Sequence, residues 1–178
     1  GMRPDILTRR PAPIQINYLG YPGTTGSRCL DYIIADRTVI PQEHDHFYSE
    51  KIVRLPYSFQ PNDAKRPAPH PATPREDFGL PPAGVVFCCF NNTYKVTPDI
   101  FDIWMRLLKN TEASVLWLLE SGATSKVNLQ RESEERGINP ERLIFAPRAD
   151  YIEYLTRYRL ADLFLDTPYY NAGTTASD

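Results

Sequence analysis

The sequence is short of the residues that mark several common functions. Three cysteines, Cys29, Cys88 and Cys89, are an odd number, and two of them stand side by side in an apolar run. Buried free thiols in a reducing cytoplasm are therefore expected, not a disulfide framework or a metal site. The three histidines, His44, His46 and His70, lie in polar or proline-rich stretches, where exposure and no catalytic part are expected. No Cys/His or carboxylate cluster has metal-ligand spacing, so no metal is expected. Neither sign of charge dominates: 20 Lys and Arg face 22 Asp and Glu, a net of −2. That balance gives no ground for a nucleic-acid partner or an anionic membrane. No apolar run approaches the roughly 20 residues that span a bilayer, and no signal peptide is visible. Gly1 before Met2 reads as an expression remnant and is set aside.

Proline, in contrast, is plentiful: 17 in 178 residues, about twice the usual usage of roughly 5%. Pro61, Pro67, Pro69, Pro71, Pro74, Pro81 and Pro82 fall between Gln60 and Ala83, with Pro56 just before. Such a segment is stiff and extended and cannot fold alone. Residues 61–83 are accordingly expected to be a linker or a surface-packed loop. The whole length suits one core, or one and a half small ones.

After this boundary, apolar runs and amphipathic stretches alternate. Val85–Phe90, Val115–Leu119, Leu143–Ala146 and Leu163–Leu165 read as strands buried on both faces. Thr97 with Pro98 opens a helix whose apolar face is expected at Ile100, Ile103, Trp104, Leu107 and Leu108. Ser125–Arg136 is a polar helix closed by Gly137, and Asp150 with Glu153 is a capping box opening a helix to about Arg159. Alternation of this kind predicts an α/β fold with a parallel sheet and crossover helices. The chain stops at Asp178 where another helix is expected, so the C-terminal region reads as cut. Upstream, Ile14–Leu19 and Tyr32–Ala35 read as strands and Gln42–Leu55 as a helix and a short strand, the tail of a larger domain.

Several strings occur in order: RPAPIQINYLGYPGTTGS, DYIIAD, YSEK, FCCFNNTYK, SVLWLL, RLIFAP and LADLFLDTPYYNAGTTASD. Together they resemble the catalytic region of the O-linked N-acetylglucosamine (O-GlcNAc) transferase family, including SPINDLY-like bacterial homologues attached to tetratricopeptide repeats. The resemblance covers nearly everything outside the proline-rich segment. It implies a GT-B architecture of two Rossmann-like lobes with the active site in the cleft between them. Residues 1–60 would end the N-terminal lobe, and residues 84–178 would be the first half of the C-terminal, nucleotide-binding lobe. The implied activity is inverting transfer of N-acetylglucosamine from UDP-GlcNAc to protein Ser or Thr hydroxyls, without a metal. The isolated fragment is expected to be inactive.

The resemblance also implies roles for particular residues. Lys95, in the loop after the first strand of the second region, would stabilise the departing diphosphate, and Asn92 would donate to a phosphate. Thr174 and Thr175 would hold the pyrophosphate and Asp178 the ribose. Arg148 and Ala149 correspond to the backbone that reads the uracil edge, and Arg157 to a base-contacting arginine. Tyr154 stands where the family usually has a histidine against the base, and Gly173 where it has another before the threonine pair. These departures leave two readings open, an altered donor preference or impaired activity. Leu19, Gly20, Pro22 and Thr24 would belong to the sugar and acceptor side, and the group deprotonating the acceptor would lie outside the chain. Two alternatives stand beside this reading: a non-catalytic α/β interaction module, and a GT-B transferase with a different sugar or a non-protein acceptor. Exposed strand edges predict self-association.

Overall fold

A computed structural model of the chain describes residues 5–66 and 73–178. Pro67, Pro69, Pro71 and His70 lie outside the described residues, as does the Gly1–Met2 start. The chain divides into two compact units, Gly1–Asp63 and Ala64–Asp178.

The first unit has a short helix α1 (Asp5–Thr8) and three strands, β1 (Ile16–Asn17), β2 (Tyr32–Ala35) and β3 (Lys51–Arg54). They pair in parallel in the order β1-β2-β3. Ile33, Ala35 and Ile40 form its small core, with Val39, Tyr48 and Ile52 packed against them. The strand expected over Ile14–Leu19 is reduced to two residues. Gln15 N–H donates to the Asp31 carboxylate instead of a ladder partner, and Leu19 at φ 69° leaves the extended region. The segment from Gln42 to Phe47 is a 3₁₀ turn leading to β3.

The second unit holds β4 (Val86–Cys89), α2 (Pro98–Asn110), β5 (Val115–Leu119), α3 (Ala123–Glu135), β6 (Leu143–Ala146), α4 (Tyr151–Tyr158), β7 (Leu163–Phe164) and α5 (Thr174–Ser177). All four strands are parallel, in the order β6-β5-β4-β7. Both faces of the sheet are covered, which explains its continuous apolar strands. Phe87, Cys89, Leu116 and Leu118 meet Ile100, Phe101, Trp104, Met105 and Leu108 of α2 on one face. Val86, Cys88, Phe90 and Trp117 face the other way, against Leu80, Phe78, Tyr154 and Tyr158. Burial pushes the thiols of Cys88 and Cys89 up to about 12 and about 11, and all three cysteines are free.

The apolar face of α2 is rotated from the expected one: Phe101 and Met105 turn inward, and Ile103 is exposed. Part of the proline-rich segment is structured. Arg75–Phe78 is a 3₁₀ turn, Arg75 bonds Asp162 and the Gly84 carbonyl, and Leu80 is buried. Gly84 sits at φ 100°, and a Cβ there would meet the Ala113 carbonyl oxygen at 1.9 Å, so the approach to β4 requires glycine. No helix among the described residues is long and apolar enough to cross a membrane.

Candidate functional site

The strand order decides where a ligand would meet the second unit. From β4 the chain runs outward through β5 to β6, then returns to place β7 on the other side of β4. The loops leaving the carboxyl ends of β4 and β7 therefore diverge around a crevice, the place where open α/β sheets bind ligands.

The loop after β7 is wound around two polar hubs. The Asp166 carboxylate accepts from Thr167 N (2.7 Å), Ala172 N (2.7 Å) and Asn171 Nδ2 (2.7 Å). Burial opposes its ionisation, but these bonds outweigh that effect and hold the carboxyl below the usual range. The fully buried Thr167 hydroxyl donates to the Tyr170 carbonyl (2.9 Å) and accepts from Asn91 Nδ2 (2.9 Å).

The loop after β4 reaches across to it. Asn91 Oδ1 accepts from the Thr175 hydroxyl (2.6 Å). Lys95, ending the 3₁₀ turn Thr93–Lys95, donates from Nζ to the Asn171 carbonyl (3.1 Å). The same ammonium lies 4.2 Å from the Tyr170 ring centroid, a cation–π distance. Lys95, Thr174 and Thr175, named separately on sequence grounds, are thus brought to one rim. Asn92 is exposed beside Lys95, and its carbonyl accepts from Lys95 N (3.0 Å). Thr174 and Thr175 open α5, whose first amides lack intrahelical acceptors.

Next along this rim is an aromatic cluster. The Tyr154 hydroxyl meets that of Tyr158 (2.9 Å) and donates to Asp178 Oδ2 (3.1 Å), while Arg66 Nη1 donates to Asp178 Oδ1 (2.9 Å). Tyr154 stacks on Tyr151 and packs against Phe90. Burial pushes the Tyr154 phenol up to about 12 and raises Tyr158 further. Arg148 and Ala149 follow β6 at the same end of the sheet, Arg148 exposed and Ala149 half-buried. Arg157 is only 3% exposed; its guanidinium donates to the Pro147 carbonyl and to Glu153, below a loop it supports from inside.

The loop of the first unit has its own anchor. Glu50, 4% exposed, accepts from the Thr24 hydroxyl (2.6 Å), the Thr25 hydroxyl (2.6 Å) and Thr25 N (2.8 Å). Burial works against the charge, yet these donors lower its carboxyl to about 2. The Pro22 carbonyl accepts from the Tyr48 hydroxyl (3.1 Å). Leu19 and Gly20 are exposed at the turn.

Sequence reasoning named neither Glu50 nor the Asn91–Asp166–Thr167 network. Both lie within the strings that carry the resemblance, YSEK, FCCFNNTYK and LDTPYYNAGTT. Strand parity is the signal for Asn91: it shares a face with Phe87 and Cys89, inward and beside the crevice. Among the described residues no three His, Cys, Asp or Glu side chains gather as a metal site.

The sequence profile of glycosyl transferase family 41 matches residues 1–72 and 64–178. The chain is 39% identical over 183 residues to the Arabidopsis thaliana protein named probable UDP-N-acetylglucosamine–peptide N-acetylglucosaminyltransferase SEC, covering 100% of this chain and 19% of that protein. It is 33% identical over 177 residues to a Petunia hybrida protein named probable UDP-N-acetylglucosamine–peptide N-acetylglucosaminyltransferase SPINDLY, covering 97% and 18%. A solved structure of a Thermobaculum terrenum O-GlcNAc transferase mutant superposes with a TM-score of 0.80 at 30% identity, over 95% of this chain and 32% of that one. The α/β architecture with parallel sheets is thus that of a GT-B O-GlcNAc transferase structure. The chain spans about a fifth of the length of these curated relatives.

Proposed function

Because this chain belongs to glycosyl transferase family 41, we propose that it forms part of the donor site of a transferase moving N-acetylglucosamine from UDP-GlcNAc to protein Ser or Thr hydroxyls. The observation that carries the reading is the convergence of Lys95 and the Thr174–Thr175 turn at the strand-order reversal. In an inverting transfer the acceptor hydroxyl oxygen, giving up its proton to a base outside this chain, attacks the anomeric carbon from the face opposite the nucleotide. As the bond to the β-phosphate breaks, its electron pair remains on a phosphate oxygen. Cations and oriented amides at that oxygen lower the barrier because they bind the leaving group most strongly when its charge is greatest.

Lys95 takes this part. Its ammonium has three donors, of which one goes to Asn171 and leaves others for a phosphate. The amides of Thr174 and Thr175, with Asn92, complete the diphosphate cradle, and no metal is required. Arg148 and Ala149 face the uracil edge, with Tyr154 packing beside the base. Arg157 serves the base indirectly, by holding Pro147. Asp178 serves the ribose. The loop of Leu19, Gly20, Pro22 and Thr24 serves the sugar and acceptor. A cytoplasmic location is proposed from the free, buried thiols, and self-association from the open edges of β6 and β7. A strictly monomeric species in light scattering removes the last point.

The test is transfer to an acceptor peptide by the full-length protein. Lys95→Ala lowers kcat by about 10²–10³, with native tryptophan fluorescence retained. A variant within ten-fold of wild type overturns the reading.

A further inference from the structure

Asn91 is buried at 4% exposure, lies between the two loops of the donor site, and has both ends of its amide engaged. The orientation of that amide follows from its neighbours. The Thr167 hydroxyl has given its proton to the Tyr170 carbonyl, so it accepts, and Nδ2 must face it. Oδ1 is then left for Thr175, whose hydroxyl proton turns inward to it. With that hydroxyl committed, the donor Thr175 retains is its backbone N–H, in the first turn of α5.

We propose that Asn91 is a positioning residue that docks the Thr174–Thr175 turn on β4 and so aims its amides at the diphosphate. The inference rests on the donor-site reading above. Lys95 also ties the two loops, through the exposed bond to the Asn171 carbonyl, beside the edge contact of Tyr94 with Tyr170. An ammonium that turns toward a phosphate weakens that tie when the turn must hold still. The Asn91–Thr167 bond is buried and the Asn91–Thr175 bond part-buried, and neither involves Lys95, so both persist while Lys95 changes partner. Asn91 acts through Thr175 and touches no reacting atom.

The test is a double-mutant cycle in the full-length protein, read as UDP affinity by calorimetry and as KM and kcat for transfer. Asn91→Ala and Thr175→Val both remove the Asn91–Thr175 hydrogen bond, Asn91→Ala the bond to Thr167 as well, and each raises the UDP Kd about ten-fold. The double variant is no worse than Asn91→Ala alone, because Thr175→Val then finds the shared bond already gone. Thr175→Ser keeps the hydroxyl and stays within about two-fold of wild type. KM for the donor rises more than kcat falls, a split that general destabilisation does not produce. The inference is overturned if Asn91→Ala leaves Kd within two-fold, or if the single losses multiply in the double variant. If Asn91→Ala does not fold, Thr175→Val decides alone by the same two-fold limit. A wild-type protein that binds no UDP removes both readings. Binding lost in Lys95→Ala but kept in Asn91→Ala and Thr175→Val removes only this one.

Discussion

Two loops in this molecule are wound around an acid, buried at Glu50 in the first unit and half-buried at Asp166 in the second, and they differ in what else reaches them. Glu50 gathers two threonine hydroxyls and an amide; Asp166 gathers two amides and an asparagine side chain. The Glu50 loop leaves an edge strand of two residues. The Asp166 loop leaves β7 beside β4, so a second loop can reach it and bring Asn91 and Lys95. A carboxylate that collects donors makes a rigid turn. An anion site also needs positive charge from a neighbouring strand exit, which the reversal of strand order supplies.

The comparison is tested most severely by Asp166→Ala. It releases three donors at once and is expected to weaken UDP binding at least about ten-fold and to destabilise the second unit by about 2–3 kcal/mol. Calorimetry reads the first effect. Denaturation followed through Trp104 and Trp117, the two tryptophans, both in this unit, reads the second. Undiminished UDP binding breaks the analogy between winding a loop and building a site.

Both carboxyls are lowered from their ordinary values. Glu50 falls from an ordinary 4.5 to about 2, and Asp166 is lowered in the same direction. A depressed carboxyl stabilises the folded state fully above its unfolded value and loses that contribution as pH falls through the folded one. For Glu50 the window runs from 4.5 down to about 2. The Thr25 amide resonance, bonded to Glu50, is expected to titrate near the lower end. A midpoint near 4.5 contradicts the description of that loop.

The smallest expected effect separates two helix starts that look alike in sequence. Asp150 accepts from Glu153 N (2.9 Å) and caps α4, so Asp150→Ala costs about 1 kcal/mol. Thr97 makes no cap bond, its hydroxyl being given to Asp99, and Thr97→Ala costs less than about 0.5 kcal/mol by the same measure. Equal losses in thermal denaturation would show that the caps are equivalent.

Much of the fold was legible. β2, β5 and β6 fall where their apolar runs lie, β5 because burial on both faces leaves an uninterrupted pattern. Pro98 marks the start of α2 because its fixed φ and missing N–H suit only that turn. The face of α2 was misplaced at Ile103, since apolar residues at Ile100, Phe101, Ile103, Trp104 and Met105, broken only by Asp102, allow more than one helical phase. The site was legible as separate strings but not as a network. Asn91 meets Thr167 and Thr175 across 76 and 84 residues, and those pairings depend on strand order, which periodicity does not carry. Arg157, expected from the resemblance to contact the base, lies one turn beyond Tyr154 and turns inward to the Pro147 carbonyl, a placement the strings did not carry.

The central claim is that Lys95 and the Thr174–Thr175 turn hold one diphosphate together. A crystal structure with UDP tests it most directly. The account predicts a β-phosphate oxygen within hydrogen-bond distance of Lys95 Nζ and of a Thr174 or Thr175 amide, with the Asn91–Thr175 bond intact. A diphosphate bound away from that turn, with Lys95 still on the Asn171 carbonyl, contradicts it.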